Sequence, residues 1–154
     1  MKRRYSPISA RCVVVVCGLI CAVLPSGCAM CGNDEIRRSQ SPDGTLEAVV
    51  FQRDCGATTG FSTQVSIVTT QSTLPNSGGN TWIADCDHGA APSAPWGGPP
   101  IRIKWTGSRE LMIEYDHRTR VFSSPPSVDV STGLFSKATV LVAHETTNEW
   151  ADPV

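Results

Sequence analysis

The residue pattern of this chain predicts an all-β fold, a small antiparallel barrel or sandwich built on a β-meander. Three observations predict it. Apolar and polar residues alternate with period two in several stretches. Ser, Thr, Gly and Pro punctuate the sequence throughout, and no stretch after Leu24 carries helical periodicity.

The first element is an address. Lys2, Arg3, Arg4 and Arg11 lead into an apolar run of 13 residues, 12–24, followed by Pro25-Ser26-Gly27-Cys28. The run is short of the roughly 20 residues that span a bilayer as a helix, and its basic flank precedes it, as in a secretory signal. Ser26-Gly27-Cys28 fits a lipoprotein cleavage box, with Pro25 departing from the usual Leu three places before the cysteine. The expectation is a lipoprotein signal peptide over 1–27, with lipid on Cys28. The alternatives are cleavage after Gly27-Cys28-Ala29 and an uncleaved anchor. The expected location is the bacterial cell envelope, lipid-anchored to a membrane and facing the periplasm or exterior.

Loss of residues 1–27 leaves 127 residues with nine basic and fourteen acidic side chains, a net charge of −5. That is long enough for one domain with a core. It lacks the clustered Lys and Arg that nucleic acid or anionic lipid surfaces require, so no nucleic-acid partner is expected.

Residues 28–41 read as a polar tether, and 42–154 as a single β-rich domain. Ser41-Pro42-Asp43-Gly44 is a turn, since proline presets φ at its second position and Asp-Gly suits the corner. Strands are expected over 45–53, over 61–68 with Thr63, Val65 and Ile67 on one face, and over 80–85. Residues 71–79 form a turn region. Residues 86–100, with four prolines and three glycines, form a long loop of the kind that is either functional or mobile. Ile101, Ile103 and Trp105, then Leu111, Ile113 and Tyr115, mark the clearest hairpin. Short strands around 120–122 and 137–144 complete the set.

Of seven cysteines, Cys12, Cys17 and Cys21 leave with the signal. With Cys28 lipidated, Cys31, Cys55 and Cys86 permit one bridge and one thiol in an oxidising envelope. The candidate loops of 25 residues (31–55) and 32 residues (55–86) differ by only about 0.2 kcal/mol in closure entropy. A meander leans weakly to 55–86, because both cysteines follow strands running the same way.

The string SPDGTLEAVVFQRDCGATTGFSTQVSI, residues 41–67, together with Cys31-Gly32-Asn33, resembles a signature of a group of uncharacterised small bacterial envelope proteins and lipoproteins. It covers about a third of the mature chain and implies no activity. The resemblance favours a Cys31–Cys55 bridge, because both cysteines lie within the matching motifs and Cys86 does not. Ser-Pro-Asp-Gly also resembles the strand-opening turn of propeller blades, but the chain is too short for four blades and carries no internal repeat.

Candidate chemistry is sparse. Asp85, Asp87 and His88, with Asp116 and His117, offer carboxylate and imidazole ligands if the two groups meet. Wet strand ends collect the same residue types. Cys55 with a distant His would make a nucleophile pair, though a secreted cysteine is more often bridged. Asp54, Thr58 and Thr59 lie in a Gly/Thr loop whose amides and hydroxyls suit an anion, or simply shape a strand connection. Ser123 and Ser124 lie near no His-bearing motif. Trp96, amid Pro and Gly, is a candidate exposed anchor; lidding the core is the alternative.

The expected function is therefore a non-catalytic module binding an envelope protein or wall component, in one version an inhibitor of an external hydrolase. No cofactor and no metal is expected. The competing expectation is a small metal-dependent enzyme using the Asp and His clusters. Binding is expected through the loops at 54–60 and 86–100, which share a sheet edge made acidic by Asp54, Asp85, Asp87 and Asp116.

Overall fold

The computed structural model describes residues 31–56, 59–148 and 150. Nine strands follow in order: β1 (Gly32–Gln40), β2 (Leu46–Asp54), β3 (Ser62–Thr69), β4 (Trp82–Asp85), β5 (Ile101–Gly107), β6 (Glu110–Asp116), β7 (Arg120–Ser123), β8 (Ser127–Gly133) and β9 (Ser136–Thr147). A short 3-10 turn, Asp87–Gly89, follows β4. Sheet A has the order β1-β2-β3-β4-β7 and sheet B the order β5-β6-β9-β8. Each sheet keeps two edge strands, so this is a sandwich and not a closed barrel. The meander β1-β2-β3-β4 and the β5–β6 hairpin are antiparallel, whereas β6 and β9 pair in parallel, so sheet B is mixed.

The alternation read from the sequence fills the space between the sheets. Leu46, Ala48 and Val50 on β2, Val65 and Ile67 on β3, and Trp82 and Ala84 on β4 meet Ile101, Leu111, Ile113, Val128, Val130, Val140 and Val142 of sheet B. The bridge is Cys31–Cys55, and Cys86 is the free thiol.

Residues 32–40 are not a tether. They form β1, registered with β2 from Gly32↔Asp54 to Gln40↔Glu47. A bulge between Glu35 and Arg37 frees Ile36 to pack on the core. On the outer face Arg38 donates to Glu35, Glu47 and the Ser72 carbonyl. A charged, bulged edge strand resists pairing with other chains.

Residues 70–81 do more than turn. They run as a strap over the outer face of β2 and β3, from the Thr45 end, where Thr70 N–H donates to Thr45 O, to the Cys31 end, where Asn33 Nδ2 donates to Pro75 O and Ser77 O. Asn80 donates to and accepts from the Ile67 backbone, replacing a strand partner. On that outer face Val49 and Phe51 are fully buried and Val68 nearly so.

The molecule has two poles. One carries Cys31–Cys55, the ends of β2 and β4, and the start of β3 and β7. The other carries the turn at 41–45, the β5–β6 turn tied to it by Arg109–Asp43 at 2.9 Å, and the β8–β9 hairpin. Among the described residues no helix is long and apolar enough to cross a membrane.

Candidate functional site

Alternation along sheet A sends Arg53, Ser62, Gln64, Ile83 and Asp85 to the face opposite the core. The strap covers that face over β2 and β3 and reaches β4 where Gly78 approaches Ile83. Beyond it, at the Cys31–Cys55 pole, a groove of about 450 Å³ crosses the ends of β2, β3, β4 and β7. Its chemically distinct walls are Arg53, Ile83, Asp85, His88, Arg120 and Phe122. A second hollow of about 240 Å³ continues it past His88 and Arg120 to Phe61 and Cys86. Phe61 and Phe122 are 45% and 59% exposed, so the groove offers apolar surface to solvent.

Arg120 organises one end. Its guanidinium grips both oxygens of Asp85, through Nε–Oδ1 at 3.0 Å and Nη2–Oδ2, while Nη1 lies 3.5 Å from Asp87 Oδ1 and 3.3 Å from His88 Nε2. Burial works to raise the Asp85 pKa, and the Arg120 hydrogen bond with the Asp87 N–H outweighs it, so the carboxyl sits below its ordinary value. Beside this clamp the backbone is left-handed at three successive residues, Asp87 (φ 45°), His88 (φ 57°) and Gly89 (φ 94°). For the two side-chain-bearing residues that costs on the order of 1–3 kcal/mol each, strain of a kind that clusters at functional sites.

Arg53 occupies the other end. Its Nη1 donates to Asn33 Oδ1 at 2.5 Å and Asn76 Oδ1 at 3.4 Å. Among the described residues no carboxylate reaches it, whereas Arg38, Arg102, Arg109, Arg118 and Arg120 each hold one.

Neither a protein-family model, nor a curated protein, nor a solved structure matches this chain.

The residues expected from the sequence fall into three groups. Thr59 and His88 line the groove. Thr58 and Cys28 lie outside the described residues. Asp54 and Trp96 are used internally: Asp54 Oδ1 accepts the Gly56 N–H at 2.8 Å, shaping the turn after β2. Trp96, expected as an exposed anchor, is half-buried, and its Nε1 donates to Oγ1 of fully buried Thr63 at 2.8 Å. Thr63 Oγ1 in turn donates to Pro99 O, and Cys86 Sγ donates to Pro92 O, so the 86–100 loop is tied inward at Pro92, Trp96 and Pro99 while His88 and Gly89 stay exposed. Burial pushes the Cys86 thiol pKa up, away from nucleophilic use. The loop tolerates only glycine where it crosses β3, since a Cβ at Gly97 would stand 2.5 Å from the Phe61 ring and one at Gly98 2.5 Å from Thr63 Oγ1.

The acidic edge does not materialise either. Asp85 is neutralised by Arg120, and Asp116 is fully buried, accepting the backbone N–H, Nε and Nη2 of Arg118. Those bonds hold its carboxyl down at about 2. Among the described residues no three His, Cys, Asp or Glu side chains converge on a point that would hold a metal.

Sequence reading missed Arg53, Arg120, Ile83 and Phe122. The outward alternation of β2 and β4 was visible, but the β4–β7 pairing that brings Arg120 and Phe122 to Asp85 and Ile83 leaves no local signal.

One consequence is testable at Trp96. Trp96→Ala removes a half-buried indole and the hydrogen bond to Thr63, and is expected to cost about 2–3 kcal/mol in denaturant unfolding. Unchanged stability would return Trp96 to the role of a surface anchor.

Proposed function

We propose that this chain is an envelope lipoprotein held through Cys28, and that its sandwich is a non-catalytic binding module receiving an envelope protein or a wall component in the outer-face groove of sheet A. The supporting observation is the groove itself: aromatic and aliphatic surface left exposed between two arginines, beside a strained turn. Concave apolar surface with a few fixed polar groups is the usual form of a binding site. Among the described residues His88, an imidazole in the groove, meets the Arg120 guanidinium and no nucleophile, which favours binding over catalysis.

The anchor sets where the partner lies. Cys31 lies three residue steps from Cys28, a reach of at most about 10 Å. Cys31 is bridged to Cys55, which lines the groove. A lipid at Cys28 therefore holds the groove close to the membrane surface, and the partner is expected there.

A photo-crosslinking residue at position 122, in protein made in its native envelope, should yield an adduct of defined mass. Arg53→Glu should abolish it, and the same crosslinker at position 137, at the opposite pole, should yield none. Crosslinking from 137 but not 122 would move the binding surface elsewhere. Recovery of the Cys28→Ser protein still in the membrane fraction would remove the lipid anchor.

A further inference from the structure

We infer that the groove takes the carboxylate end of an extended peptide, with Arg53 as its receptor. The inference rests on reading this groove as the binding surface, and it adds the chemical class of the ligand.

The guanidinium of Arg53 is half-satisfied in a particular way. Among the described residues only Nη1 is used, by the amide oxygens of Asn33 and Asn76. Those amides are fixed in turn: Asn33 Nδ2 donates to Pro75 O and Ser77 O, and Asn76 Nδ2 to Cys31 O at 3.0 Å. The planar fork is therefore held still, while the Nε and Nη2 edge has no acceptor among the described residues. That edge presents two parallel N–H groups, the geometry that binds a carboxylate bidentately. Arg120 cannot play this part, because Asp85 already fills its fork.

Size and wall chemistry choose a peptide. From β2, which carries Arg53, to β7, which carries Phe122, the groove crosses three inter-strand spacings, about 14 Å, or roughly four extended residues. At the far end Ile83 and Phe122 supply apolar contact for a side chain. An inorganic oxyanion would leave that surface uncovered, and a single fork is a weak phosphate site.

The strap chooses a chain end. Asn76, Pro75 and Ser77 stand immediately behind Arg53, bonded to β1. A peptide that met Arg53 through an internal Asp or Glu would have to climb over this wall to continue, whereas a terminal carboxylate stops there.

The test uses the full-length protein in mild detergent, with the 15Nε signal of Arg53 and the 13C methyls of Ile83 observed by NMR. The probes are a pool of N-acetylated tetrapeptides rich in Val, Ile and Phe with free carboxylates, and the same pool C-terminally amidated. The acid pool should move both signals and bind about tenfold more tightly than the amide pool. Arg53→Gln should erase that preference, and Phe122→Ala should weaken both pools while keeping it. Equal binding of acid and amide pools at Ile83 would overturn the carboxylate inference and leave the groove as the binding surface. No movement of Ile83 with either pool at millimolar concentration would overturn both. Stronger displacement of the Arg53 signal by inorganic phosphate than by the acid pool would replace the peptide with an oxyanion.

Discussion

Cys55→Ser is expected to lower the stability of the domain by about 3 kcal/mol, a fall in Tm of the order of 10 °C. The Cys31–Cys55 bridge closes a loop of 25 residues, and opening it releases that loop in the unfolded chain. The native state loses something too. β1 is a sheet edge with one apolar residue among nine, Ile36, so little burial holds its Gly32 end beside Asp54 once the sulfur link is gone. The loss should therefore be matched by treating the native protein with a reductant, and reductant should do nothing further to Cys55→Ser. Cys86→Ser is the control. Among the described residues its thiol makes weak contacts to the Pro92 and Gly97 carbonyls and to the Ser93 side chain, so the change should stay within about 1 kcal/mol. A Cys86→Ser protein as unstable as Cys55→Ser would mean that Cys86 is in the bridge. Unbridged, Asn33 would also loosen its hold on Arg53, so the same variant should weaken whatever the groove binds.

How much of this was legible in the sequence depends on where each residue's reasons lie. β2, β3, β5 and β6 bury every second side chain against one core, and a period of two is written locally. β1 was invisible because an edge strand faces water on most sides. Its sequence, GNDEIRRSQ, answers to edge protection and to the Arg38 network, not to burial. The strap was legible as a region of turns but not as a cover, because Asn80 holds it through the Ile67 backbone, a contact without a hydrophobic signature. Trp96 shows the same limit in reverse. Its Pro/Gly surroundings read as an exposed loop, while the partner that turns it inward, Thr63, lies 33 residues away. Two loops are expected to bind; the 86–100 loop is tied to the core through Trp96 and Pro99 yet places His88 in the groove wall, as the 54–60 loop places Thr59, and the rest of the open surface is the sheet face. Arg53 lies within the 41–67 string. What marks it as a receptor is its place in the groove with Nη1 fixed by Asn33 and Asn76 and no carboxylate neighbour among the described residues, and only the fold reveals that.

The core and the groove share one short strand. Within β4, Trp82 and Ala84 point into the sandwich, while Ile83 and Asp85 face the groove. Trp82 is fully buried, and its ring lies 5.3 Å from that of Tyr115, tilted at 47°. With only four residues, β4 has little else to fix it, and β7 reaches sheet A only by pairing with β4. Trp82→Ala is thus expected to cost about 3–5 kcal/mol, the ordinary cost of emptying a buried indole site. The groove should be lost alongside, because Ile83, Asp85 and Arg120 depend on the same strand pair. Trp82→Phe separates volume from polarity. Trp82 Nε1 is buried without a hydrogen-bond partner among the described residues, so phenylalanine gives up some packing but also removes an unpaired donor. Its cost should be less than half that of alanine, with the Ile83 methyl signals nearly unmoved. A Trp82→Ala protein that unfolds at the native midpoint would show that β4 is held from its groove side, by the Asp85–Arg120 clamp, and not from the core.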